Sequence, residues 1–129
     1  MNRVLLLWGP VLLVMAVIFG ASSVPNLRRL PGDISDHTGH FLAYAGLALV
    51  CLRALAGARW AGVTWSRAAG AWLISVLYGV SDELHQRFVP GRFAALDDLV
   101  ADALGAATAG GLVVLLAGVL ARHRREREV

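Results

Sequence analysis

The chain has 129 residues, 57% of them apolar, with twelve basic and nine acidic residues and a formal net charge of +3. Its mean hydropathy of +0.63 is too high for an ordinary soluble domain, and the apolar residues come in long blocks. All twelve basic residues are Arg, placed in flanks, loops and a tail, which is the pattern of a membrane topology signal, so no nucleic-acid partner is expected.

A membrane span needs about 20 mostly apolar residues. Four blocks approach that length, Val4–Val24, Phe41–Ala56, Ala68–Tyr78 and Leu99–Ala121. The second and third span only if their helices continue through the polar residues at their ends. The chain is therefore expected to be all-α, an integral membrane bundle of four transmembrane helices over 4–24, 38–57, 66–86 and 98–121. These form a single domain across 1–129, closed by a basic tail over 122–129.

Pro10 lies inside the first span, where the lost backbone hydrogen bond is tolerated and a kink is allowed. An alternative treats residues 1–22 as a signal peptide, with Arg3 as the basic end and Gly20-Ala21-Ser22 near a cleavage site. The apolar run is long for that purpose, so a retained span is expected. Turn formers follow, from Ser22-Ser23-Val24-Pro25-Asn26 to Pro31-Gly32-Asp33. Asp33 or Ser35 is placed to cap the second helix.

The second helix opens on polar residues. Asp36, His40 and Tyr44 recur every four positions and form one stripe, with His37 three residues before His40. Cys51, the only cysteine, sits mid-block and reads as a small core hydrophobe. Trp60 and Trp65 flank the next short loop, as an aromatic belt would.

The third segment ends in Ser81-Asp82-Glu83-Leu84-His85-Gln86. Adjacent carboxylates cannot share a helix face, so Glu83 is expected to point inward and Asp82 sideways or toward water. Phe88-Val89-Pro90-Gly91-Arg92 reads as a turn. Asp97 or Asp98 then begins the fourth helix, at the end of the dipole that favours a carboxylate. Asp102 lies a turn further in, beyond any capping role. Asp98, Asp102, Gly105 and Ala109 form a stripe of small and acidic residues, with Ala101 beside it, suited to close helix packing.

Basic flanks set topology. With four spans, eight Arg residues lie on one side (Arg3, Arg53, Arg59, Arg67, Arg122, Arg124, Arg125, Arg127) and four on the other (Arg28, Arg29, Arg87, Arg92). Both termini are thus expected in the cytoplasm, with the acidic segments facing outward. Ionisable groups at membrane depth are costly, which makes them a functional hypothesis. His40, Glu83 and Asp98 are the candidates for catalysis. Arg92, Gln86, Tyr44, Asp36 and Asp102 are the candidates for binding, with Arg92 as counter-ion. Such a cluster suits a divalent metal, for which Asp36, His40, Glu83 and Asp98 would be the ligands, or general-base work by His40, or a self-neutralising polar core. No specific metal motif chooses among these, and the cofactor stays open.

In this order the residues resemble the VanZ-like family of small bacterial membrane proteins. The resemblance rests on Ser22-Ser23-x-Pro25, Asp36-x-x-x-His40-Phe41-x-x-Tyr44, Ser81-Asp82-Glu83-Leu84-His85-Gln86-x-Phe88-Val89-Pro90-Gly91-Arg92 and Asp98-x-x-Ala101-Asp102-x-x-Gly105-Ala106. It covers nearly all of the chain beyond the first span. His37 stands where the family usually has Lys, Ala95 where a Ser or Thr is common, and Asp102 where many members carry Asn. The family takes its name from a protein that lowers susceptibility to the glycopeptide teicoplanin. The resemblance implies a multi-span protein of the bacterial cytoplasmic membrane.

Three functions compete at this point. One is an outward-facing pocket that binds or modifies an envelope component, such as a lipid head group or lipid-linked precursor, with Arg92 meeting an anionic group. Another is a membrane-embedded hydrolase or transferase acting on lipid phosphates or esters, with or without a metal. The third is a small transporter, for which four short helices leave little room.

Overall fold

A computed structural model describes residues 2–25, 29–30, 32 and 34–128. Four helices carry the fold: α1 (Arg3–Ser22), α2 (Asp36–Leu55), α3 (Trp65–Gln86) and α4 (Leu96–Arg127). Between α1 and α2 the short strands β1 (Arg29–Leu30) and β2 (Ile34–Ser35) pair antiparallel, Arg29 opposite Ser35 and Leu30 opposite Ile34. A single 3₁₀ turn, Trp60–Gly62, links α2 to α3.

Helices α1, α2 and α4 are each long and apolar enough to cross a membrane. Helix α3 is as long, at 22 residues, but less apolar, because its inner face carries Ser75, Asp82, Glu83 and Gln86. Helix α4 continues through the basic residues to Arg127, so most of the expected tail is helical. Its 32 residues measure about 48 Å at 1.5 Å per residue. A hydrocarbon core of about 30 Å is shorter than that, so part of the helix extends beyond it.

Helix α2 is the centre of the bundle. It packs most extensively on α4, then on α3 and α1. The core joins Val11 and Ile18 of α1, Tyr44, Leu47, Cys51 and Leu52 of α2, Ala71 of α3 and Val114 of α4. Outside it, Leu5, Leu12, Leu13 and Val17 of α1 and Leu112, Leu115 and Leu116 of α4 are exposed, an apolar surface that a bilayer covers. Helix α1 runs unbroken through Pro10.

Small residues decide where the helices approach. Gly105 of α4 lies against the backbone of Phe41, and a methyl group there would collide with the Phe41 carbonyl. Gly79 of α3 faces α2 and α4, where a methyl group would meet Asp102 Oδ2 at 2.8 Å and Tyr44 Cε1 at 3.3 Å. The stripe read on the fourth helix is thus the packing face, with Asp98, Asp102, Gly105, Ala106 and Ala109 buried. Two side chains stitch the bundle with hydrogen bonds to backbone carbonyls of neighbouring helices. Trp72 Nε1 donates to Ala103 O at 3.1 Å, and the Tyr78 hydroxyl donates to Met15 O at 2.6 Å.

Candidate functional site

The start of α2, the end of α3, the start of α4 and the end of α1 meet at one end of the bundle. Ser35 caps α2, its hydroxyl accepting from Thr38 N–H at 3.2 Å. Asp33, the other cap candidate, and Arg28 lie outside the described residues. Asp36 then occupies the first turn, where the helix dipole favours it. The i, i+4 spacing carries His40 and Tyr44 inward, and both are buried.

Helix α4 starts differently from expectation. Its cap residue is Ala95, which has no side-chain acceptor. Glu83 supplies the acceptor from α3, taking the Ala95 N–H on Oε2 at 3.0 Å. Asp97 and Asp98 fall in the first turn. Glu83 therefore points inward as expected, and part of its role is structural.

Asp82 departs from expectation, being 4% exposed. The face of α3 between α2 and α4 is wide enough to bury both neighbours on its two flanks. Asp82 turns to α2 and accepts from the Tyr44 hydroxyl at 3.4 Å, with Gln86 Nε2 at the same distance. Its Oδ1 has no partner among the described residues.

Histidines bridge α2 to α4. His40 Nδ1 lies 2.8 Å from Asp102 Oδ1, and His37 Nδ1 lies 2.7 Å from Asp98 Oδ1. His40 Nε2 faces Asp36 Oδ1 at 4.0 Å. His37 is largely exposed, as befits a residue closing the polar end. Asp102 is fully buried and its Oδ2 has no partner among the described residues.

Arg92 reaches back across the end of the bundle from the Pro90-Gly91 turn, where Gly91 takes a φ of +74° that favours glycine. Its Nη2 donates to Ala21 O at 3.1 Å, closing the end of α1, and its Nη1 lies 3.5 Å from Asp36 Oδ1. The side chain is 6% exposed. Both terminal nitrogens are thus engaged, and the guanidinium is a clamp between α1 and α2 more than an open fork.

These residues wall a cavity of about 70 Å³ between α1, α2 and α3, lined by Asp36, His40, Tyr44, Asp82, Gln86 and Arg92. On the opposite flank, Glu83 and Arg87 border a second hollow of about 180 Å³ between α3 and α4. Asp98, Asp102 and Glu83 do not line the first cavity. They stand behind His40, where Asp102 orients the ring. Among the described residues, the four metal candidates do not converge on one point. Two groups share His40: Asp36, His40 and Asp98, and His40, Glu83 and Asp102.

Two contacts escaped the sequence reading. Ser23 Oγ meets His85 Nε2 at 2.9 Å, and Phe19 stacks on the His85 ring at 4.4 Å, which fastens α1 to α3. Both Ser23 and His85 belong to the motif segments, yet nothing in their spacing pairs them. Ser75 and Gly79 were also passed over, although they continue the inward stripe of α3 at helical spacing toward Asp82.

The architecture and site define a small all-helical membrane protein with a buried polar cluster at one end of its bundle. The family model described as VanZ/LLP1 matches residues 7–117, and the chain belongs to that family. No curated protein and no solved structure matches it.

Proposed function

We propose that this protein lies in the bacterial cytoplasmic membrane as four spans, with both termini in the cytoplasm. The polar end of the bundle faces outward and binds the head group of an envelope lipid or lipid-linked precursor. The observation carrying this reading is the cavity in which Asp36, His40, Asp82 and Arg92 meet at the polar end of a bundle whose outer surface is apolar. Burying such groups is expensive, and a polar ligand repays the cost. Arg92 is engaged by Ala21 and Asp36 through its terminal nitrogens, and two buried polar atoms of the lining are left without a partner among the described residues, the acceptor Asp82 Oδ1 and the donor Arg92 Nε. A head group that offers both a donor, such as an amine or hydroxyl, and an acceptor matches that chemistry. Sequestering or altering a lipid-linked precursor would link the protein to teicoplanin susceptibility.

The test is lipid profiling of cells lacking and overproducing the protein, together with mass spectrometry of lipids that copurify in native nanodiscs. Enrichment of one amine- or hydroxyl-bearing lipid, lost in Asp82→Asn, is expected. A copurifying lipid pool identical to that of the surrounding membrane, unchanged by the variant, overturns the reading.

A second reading is a hydrolase or transferase acting on lipid-linked phosphates or esters. It is favoured by the His40–Asp102 bond at 2.8 Å, in which a carboxylate holds one imidazole nitrogen and leaves the other turned to the cavity wall. Conversion of one lipid into another that ceases in His40→Ala separates it from simple binding.

A further inference from the structure

We propose that His40, Glu83 and Asp102 bind one divalent transition-metal ion, buried between α2, α3 and α4. Each offers a ligand atom within 4.8 Å of the other two. Ligands bound at about 2.0–2.2 Å stand roughly 3–4 Å from one another, so small side-chain adjustments close the set around an ion. All three residues are at least nine-tenths buried.

Two further observations point to an ion. Asp102 Oδ1 faces His40 Nδ1 at 2.8 Å, a contact in which the ion would take the place of the shared proton, while Oδ2 of the same carboxylate is buried with no partner among the described residues. A buried acceptor left unpaired is costly, and a carboxylate more so. The space beside that oxygen is also kept open. Gly79 lies one turn before Glu83, and a Cβ there would stand 2.8 Å from Asp102 Oδ2.

Charge favours the same position over its neighbour. Asp36, His40 and Asp98 also gather within 4.8 Å. Asp36, however, has Arg92 at 3.5 Å, and Asp98 has His37 at 2.7 Å. Among the described residues, Glu83 bonds to the Ala95 N–H and the Gln86 amide, both neutral. Glu83 and Asp102 therefore share a single imidazole between two carboxylates, and a divalent ion balances them. One nitrogen and two carboxylates suit Mn²⁺ or Zn²⁺ better than Ca²⁺ or Mg²⁺, which prefer all-oxygen sites. The proposal stands whatever occupies the cavity on the other side of His40.

The full chain, purified in detergent and stripped with a chelator, is titrated with Mn²⁺ or Zn²⁺ alone. Saturable binding near one ion per chain is expected, with a rise in thermal unfolding temperature. Glu83→Gln and Asp102→Asn, as direct ligands, should each weaken binding at least about 10-fold, and Asp97→Asn, an exposed acid nearby, should not. X-ray absorption of the loaded wild-type protein should show one imidazole and carboxylate oxygens around the ion, a readout that survives if a variant fails to fold. Absence of saturable binding by the wild type overturns the proposal. So does an equal loss in Asp36→Asn, which would place the ion at the mouth, or absorption spectra without an imidazole.

Discussion

His40 of α2 and Asp102 of α4 lie 2.8 Å apart, Nδ1 to Oδ1, inside the most extensive helix contact of the bundle. Removing one partner of such a buried pair strands the other, at a cost of about 3–5 kcal/mol. Asp102→Ala should therefore lower thermal stability strongly in detergent. Asp102→Asn keeps an oxygen for the imidazole N–H and should retain the fold. Equal stability of the Ala variant and wild type would show that the bond contributes nothing.

Arg92 holds the Ala21 carbonyl and Asp36 with two different nitrogens. A lysine has one ammonium and cannot serve both positions. Arg92→Lys should behave much like Arg92→Ala, each losing about 1–3 kcal/mol in unfolding measurements. Full stability of the Lys variant would mean that charge alone suffices there.

Gly105 touches the Phe41 backbone so closely that one methyl group cannot be added without moving α2 from α4. Gly105→Ala should cost about 1–3 kcal/mol through overpacking. Gly118→Ala, in the same helix with open space around it, should be neutral. Matching melting temperatures for the two variants would contradict this packing.

Topology is accessible to labelling, because Cys51 is the only cysteine and is fully buried. In a Cys51→Ala background, Phe93→Cys, in the exposed α3–α4 turn, should react with an impermeant maleimide in intact cells. Ala61→Cys, in the α2–α3 turn, should react only after permeabilisation. The reverse pattern would put the polar cavity in the cytoplasm.

Much of the site was legible because its residues are helical neighbours. Asp36, His40 and Tyr44 on α2, and Asp98, Asp102 and Gly105 on α4, share faces by spacing alone, and these faces are buried with Asp36 at the rim. Asp82 was read less well. Spacing says that adjacent residues diverge by about 100° on a helix. It does not say how wide a face the partners cover, and here α2 and α4 cover both Asp82 and Glu83. The capping of α4 by Glu83 was hidden for a related reason, since its acceptor comes from another helix, twelve residues before Ala95.

Local features of the chain specify the helices, their apolar character and the polar end on which they converge. These follow from composition and from a 3.6-residue repeat, which are local properties of the chain. Which carboxylate each imidazole meets, the engagement of Arg92 and the split of the metal candidates into two groups around His40 emerge from how the helices pack. Such pairings depend on the rotation and axial offset of one helix against another. Those are set by close contacts such as Gly105 on Phe41, which no repeat within a single helix encodes.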